Sequence, residues 1–209
     1  MRTLWGRANS SNVMKVICLL EELGLPYERI DVGGPFGKTK TPEYLAMNPN
    51  SVVPTLQEGD FTLWESNVIL RYLCTAHAKG HSLWPDDLQV RANIDRWMDW
   101  VQTTLTRPQG LVFQGLVRIP PAKRDNVAIE AAIVELGRVY KILDAELAKH
   151  GQDYVAGPAY TLADIAIGPH VHRWFVLPIP RPDTPHLHAW YQRLLGRPVY
   201  RTHCAGPLS

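Results

Sequence analysis

The sequence predicts an α/β segment followed by an all-helical one. Three observations carry this. Residues 1–80 alternate between short strand-like runs and runs of helical period. From Leu88 onward the periodic stretches have helical spacing throughout. Between them His81-Ser82-Leu83-Trp84-Pro85-Asp86-Asp87 is dense in turn residues. The expected organisation is therefore 1–80 for the α/β part, a linker at 81–87, and 88–209 for the helical part. The chain has 209 residues, of which 45% are hydrophobic and 20% charged. That is an ordinary globular composition, long enough for one large domain or two small ones.

In the first segment Thr3-Leu4-Trp5 is a short strand. Asn12 to Leu23 is a helix with Val13, Val16, Ile17 and Leu20 on one face. Gly24 ends it and Pro26 follows, the usual stop pattern. Tyr27 to Val32 is the second strand, and Gly33 to Lys40 a glycine-rich loop bearing Lys38 and Lys40. Thr41 N-caps a short helix with Pro42 at its first position. Val52 to Leu56 is a strand entered through Pro54, Gly59-Asp60 a two-residue hairpin turn, and Phe61 to Trp64 the returning strand. Glu65-Ser66 stand where that strand hands over to a helix, Asn67 to about His77, with Ile69, Tyr72, Leu73 and Ala76 on one face. The order β-α-β-α-β-β-α is that of a thioredoxin-like domain.

In the second segment Leu88 to about Leu105 carries Ile94, Trp97, Met98, Val101 and Leu105 at helical spacing, and Arg107-Pro108-Gln109-Gly110 is expected to interrupt it. Asp125 to Lys149 is a long amphipathic helix. Thr161 and Asp164 form a capping box that opens another helix. Pro169 is expected to bend that helix or end it early. Thr184-Pro185 opens a further helix through Leu195.

Composition excludes several classes. A net charge of +2 gives no strong pull toward nucleic acid or membranes. No stretch is apolar for long enough to span a bilayer, and the chain runs straight into a strand without a signal-peptide core. Cys18, Cys74 and Cys204 form no spaced framework, which fits a reducing cytoplasm. None of them ends the first strand and there is no Cys-x-x-Cys, so a cysteine-based redox mechanism is not expected. His170 and His172, like His186 and His188, stand two apart and do not share a helical face, so no metal is expected.

Three polar groups stand out. Ser10, Ser11 and Asn12 precede the first helical run. Locally they read as helix caps, but hydroxyl and amide donors at a helix start also suit an anion. Pro54 cannot donate to a ladder. A cis Val53–Pro54 bond, expected here, lets Val53 offer its own N–H and C=O to something outside the sheet. Glu65 and Ser66 offer a carboxylate, a hydroxyl and helix N-terminal N–H groups. Together they suggest a site for a short peptide with an acidic end.

These motifs resemble the cytosolic glutathione transferases, and the resemblance covers nearly the whole chain. Arg96-Trp97-Met98-Asp99-Trp100 and Gly115-Leu116-Val117-Arg118 are most similar to bacterial members of serine or asparagine type. The resemblance implies that Val53 and Pro54 pair with the cysteinyl part of glutathione and that Glu65 and Ser66 hold its γ-glutamyl end. It also implies that Ser10, Ser11 or Asn12 faces the sulfur. Many relatives carry a lysine just before the Val-Pro pair; here it is Val52, which leaves Lys40, or Lys38, for the glycyl carboxylate. Arg107, Phe113, Arg118 and Trp174 are candidates for the wall of a second-substrate pocket, although large aromatics at helical spacing also serve as ordinary core, and Trp97 is expected to pack inward. The implied reaction is attack of glutathione thiolate on a small electrophile, in a cytoplasmic homodimer without metal, nucleic acid or membrane. Alternatives are glutathione-dependent peroxide or disulfide reduction, and a non-catalytic interaction module. Isomerase-type relatives carry Ser-Ser-Cys at the first site; Asn12 in the third place speaks against that activity.

Overall fold

The computed structural model describes residues 1–150 and 153–209. Strand β1 (Arg2–Trp5) lies parallel to β2 (Glu28–Ile30), and helix α1 (Ser11–Glu22) connects them. β3 (Thr55–Glu58) and β4 (Phe61–Trp64) form an antiparallel hairpin, and β3 lies antiparallel beside β1. The sheet order is β2-β1-β3-β4. α2 (Pro42–Met47) precedes β3 and α3 (Ser66–His77) follows β4. The ladder begins at Thr55 rather than Val52, because Pro54 has no N–H to give it.

Local chemistry sets several boundaries. Gly24 takes φ +61° after α1, Leu25 N–H reaches Leu20 O at 2.9 Å and Gly24 N–H reaches Glu21 O at 3.2 Å. That pair of bonds is the Schellman ending expected of a glycine at this place. Thr41 Oγ1 accepts from Tyr44 N–H at 3.3 Å and caps α2. The predicted inward face of α1 meets Leu4 and Leu56 of the sheet in the core, as do Ile69 and Leu73 of α3; Ala76, expected on the same face, is exposed, and Leu70 and Cys74 are buried in its stead because α3 is covered from a second side. Lys15, Cys18 and Leu19 are buried as well, because later helices cover the other side of α1.

The helical segment holds α4 (Leu88–Trp100), α5 (Thr106–Phe113), α6 (Asn126–His150), α7 (Leu162–Val176), α8 (Pro185–Leu195) and α9 (Pro198–His203). The expected break at Arg107–Gly110 is absent. A π-helical turn, Val101–Leu105, joins α4 to α5, so Pro108 falls in the first turn of α5, where free N–H groups are normal. A second π turn, Gln114–Arg118, follows α5. Pro169 does not end α7 either. Every residue from Leu162 to Trp174 is buried, and packing on all sides outweighs the lost hydrogen bond. The capping box is present: Asp164 Oδ2 accepts from the Thr161 N–H at 2.8 Å. Asp164 Oδ1 also accepts from Val155 N–H at 3.0 Å and Trp190 Nε1 at 2.9 Å.

The two segments share one continuous core. The expected linker is part of it: Leu83 and Trp84 are buried, and Leu162 N–H donates to Leu83 O at 3.0 Å. Asn67 Nδ2 donates to Met98 O at 2.6 Å, and Arg71 bridges Asp95 and Asp99. Among the described residues no helix is long and apolar enough to cross a membrane.

Candidate functional site

The Val53–Pro54 bond is cis. Two buried side chains of the preceding helix and turn hold the backbone around it. Tyr44 Oη donates to Val52 O at 2.7 Å, and Asn48 Nδ2 donates to the same oxygen at 3.0 Å. Both also reach Thr55 Oγ1, at 3.0 and 3.1 Å. Ser51 Oγ donates to Thr39 O at 2.9 Å and ties the Gly33–Lys40 loop to the same corner. Among the described residues no hydrogen bond involves the Val53 N–H or C=O. The backbone there is half-buried, firmly held and unpaired. Sequence reasoning missed Tyr44 and Asn48; their only signal was polar atoms beside a strand-entering proline.

Among the described residues, the non-glycine positions with positive φ are Lys38 (65°), Ser51 (58°) and Glu65 (72°). Each lies in or beside the predicted ligand-binding stretches. Such conformations cost on the order of 1–3 kcal/mol and gather at binding sites. At Glu65 the strain turns the chain sharply from β4 into α3. Glu65 remains exposed while Ser66, the first residue of α3, is buried.

Ser10 is the N-cap residue of α1, extended, with no side-chain capping bond. Its carbonyl accepts from Val13 and Met14 N–H, so its hydroxyl is left for other work. Asn12 Oδ1 accepts from Ser66 Oγ at 3.4 Å, which brings the starts of α1 and α3 together. Two helix N-termini therefore converge, a favourable environment for anions. Beneath them Lys15 is fully buried. Burial drives its ammonium down to about 7, opposed by the pull of Glu65. Lys38 and Lys40 are exposed on the neighbouring loop.

The four candidates for a second-substrate wall separate. Phe113 and Arg118 meet, with the Arg118 guanidinium 4.9 Å from the Phe113 ring centroid. Arg107 is not with them; it is exposed and lines an outer groove between α5 and α6. Trp174 is core, fully buried and stacked on Tyr140 at 4.6 Å. Its helix is covered on all sides, so a tryptophan there has no open face. Trp97 is buried, as expected. Among the described residues no group of three His, Cys, Asp or Glu side chains could hold a metal ion.

Residues 2–75 match the family profile of the glutathione S-transferase N-terminal domain, and residues 126–193 that of the C-terminal domain. The chain belongs to the glutathione S-transferase family. It is 44% identical to glutathione S-transferase GstB of Escherichia coli K12 over 211 residues, covering 100% of both chains. It is 34% identical to glutathione S-transferase 3 of Zea mays over 202 residues, covering 86% of this chain and 89% of the relative. Among solved structures it resembles the theta class glutathione S-transferase of the citrus canker pathogen Xanthomonas axonopodis pv. citri with glutathione bound. That likeness has a TM-score of 0.94 and 46% identity, covering 100% of this chain and 99% of the other. In this family member the α/β part and the helical part thus have the expected architecture.

Proposed function

We propose that this protein is a glutathione transferase that joins the glutathione thiolate to a small electrophile. The observation that supports the reading is the unpaired Val53 backbone next to a cis proline, together with the meeting of the α1 and α3 starts through Asn12 and Ser66. In this reading the cysteinyl part of glutathione lies antiparallel along Val53, next to cis Pro54. The γ-glutamyl carboxylate takes the Ser66 hydroxyl and the N–H groups opening α3, and Glu65 takes the amine. Lys40 reaches the glycyl carboxylate. The sulfur points to Ser10, Ser11 and Asn12. A free thiol has a pKa of about 8.5. Hydroxyl or amide donors and the α1 N-terminus stabilise its anion, so the proton passes to solvent near neutral pH. The thiolate then attacks an electrophilic carbon, the C–S bond forms, and the leaving group departs with its electron pair.

The cysteines do not serve as nucleophiles in this scheme. Burial pushes the Cys74 thiol up to about 12, and burial and the neighbouring Cys18 hold Cys204 well above its ordinary value. Cys18 and Cys204 face each other at 3.0 Å inside the core. Phe61, Trp64 and Val68 leave apolar surface at β4 and α3, which suits a homodimer in the cytoplasm.

Calorimetry with glutathione tests the site. Ser66→Ala removes a charge-assisted bond worth roughly 1.5–3 kcal/mol, so affinity falls about tenfold or more while the fold survives. An unchanged dissociation constant on a folded variant moves the site elsewhere. Product analysis with a halogenated aromatic and with a peroxide separates conjugation from glutathione-dependent reduction.

A further inference from the structure

Cys18 and Cys204 stand 186 residues apart in sequence, and helix packing brings them together. Cys18 lies within α1, and Cys204 is the C-terminal cap of α9, which packs against α1. Both are free thiols, buried to 1% exposure. As small apolar fillers two cysteines need only fit the space. Here the sulfurs face each other directly, 3.0 Å apart. A disulfide bond is about 2.05 Å long, so closing the pair takes about 1 Å of approach. Cys74, on α3, is different: among the described residues no other cysteine is within hydrogen-bonding reach of it.

The way to the pair runs under the segment that follows α9. A void of about 10 Å³ borders Cys204 between His172, Arg173 and Pro207. Such a space holds one water at most, so no oxidant sits against the sulfur while the segment is seated. Few bonds seat it. His172 Nε2 donates to Gly206 O at 2.8 Å, Asn9 Nδ2 donates to Ser209 Oγ at 2.7 Å, and Arg118 Nη2 donates to Ser209 O at 3.2 Å. Asn9 is itself held by Arg7 Nη1 at its Oδ1 and by Arg173 Nη2 at its carbonyl. A short segment held this way opens locally far more readily than the core beneath it. Burial and the neighbouring Cys18 hold the Cys204 thiol well above its ordinary value, and lifting the segment relieves the burial.

We infer that Cys18 and Cys204 are a peroxide-responsive pair, which a hydroperoxide oxidises to an internal disulfide that fastens α1 to the end of α9. The inference does not depend on the transferase reading. With the segment lifted, Cys204 gives up its proton and its sulfur attacks the O–O bond. The S–O bond forms, the O–O bond breaks, and the distal oxygen leaves as hydroxide or alkoxide and takes up that proton. The segment then reseats and the Cys18 sulfur attacks the sulfenic sulfur. The S–S bond forms, and the hydroxide that leaves takes the Cys18 proton as water. In sum two thiols lose two electrons, and one hydroperoxide gains them to give an alcohol, or water, and a further water. The bond closes a loop that spans most of the chain, so it restricts the unfolded state strongly and the oxidised protein is the more stable form.

The test treats the intact reduced protein with excess hydrogen peroxide, removes the peroxide with catalase, unfolds the chain and labels its remaining thiols with a maleimide for counting by mass. The chain has three cysteines. All should be labelled before treatment, and Cys74 alone afterwards, with a tryptic peptide joining Cys18 to Cys204. Dithiothreitol should restore the original count. The oxidised protein should unfold at a temperature higher by roughly 5–15 °C, and Cys204→Ala should show no such rise. The count on unaltered protein decides the matter if that variant fails to fold. Full labelling after treatment overturns the inference. So does oxidation of Cys204 to a sulfinic acid with Cys18 still free, because the sulfurs then do not close on each other. A Cys18–Cys204 bond without a rise in unfolding temperature overturns the fastening.

Discussion

Lys15 is the sharpest test of how the two segments share one core. It lies in α1 on the side turned toward the helices, is fully buried, and among the described residues its Nζ finds only Gln102 Oε1 at 3.5 Å. Burial, with Arg173 adding to it and Glu65 opposing it, brings its pKa from 10.5 to about 7. At 1.36 kcal/mol per unit the shift corresponds to roughly 5 kcal/mol against the charged folded state. The sign follows from linkage. Below about pH 7 both folded and unfolded chains hold the proton, and the folded chain bears the whole cost. Between about 7 and 10.5 the unfolded chain still holds it while the folded chain has released it, so wild-type stability rises by up to about 1.4 kcal/mol per pH unit. Lys15→Met keeps the bulk and removes the charge. Its stability relative to wild type should be greatest near pH 6 and shrink by roughly 3–4 kcal/mol toward pH 10. Urea unfolding followed by tryptophan fluorescence at several pH values measures this, and other titrating groups cancel in the difference. A difference that is flat with pH refutes the argument, since Lys15 would then keep its proton equally in both states.

Other outcomes follow from the same geometry. Ser10→Ala, or failing that Ser11→Ala or Asn12→Ala, should raise the pKa of bound glutathione, read as thiolate absorbance against pH, with affinity nearly intact. The rate loss should be smaller than the ~10²–10³ typical for a lost oxyanion donor, because sulfur is a weaker acceptor. Replacing Cys18, Cys74 and Cys204 together should leave conjugation standing; a folded but inactive triple variant, with all three donor variants fully active, would end the mechanism proposed here. Asp164→Ala should cost about 3–5 kcal/mol in thermal or urea unfolding, because Val155, Thr161 and Trp190 would be left with unpaired buried donors. A loss below about 1 kcal/mol would mean that water replaces the carboxylate.

Local rules in the sequence determined much of this protein. The element order of the first segment, the Gly24 stop, the Thr41 cap and the Thr161–Asp164 capping box all follow from backbone chemistry within a few residues. The cis Val53–Pro54 bond and the handover from β4 to α3 at Glu65-Ser66 were legible for the same reason: a proline at a strand mouth and a polar pair at a helix start have few conformations open to them. What only the tertiary structure decided concerns which surfaces meet. Periodicity shows that a helix has an inner face, yet not that α1 and α7 have no outer one. Hence Lys15 and Trp174 are core, and Pro169 is carried through an unbroken helix. Leu83 and Trp84 turned a stretch rich in turn residues into packed core. Arg107 and Arg118 look alike in sequence, but one lies exposed in the groove between α5 and α6 and the other stacks on Phe113. Arg7, Asn9 and Arg173 come from the two ends of the chain, and their meeting is a property of helix packing across long sequence separations, which local spacing does not encode.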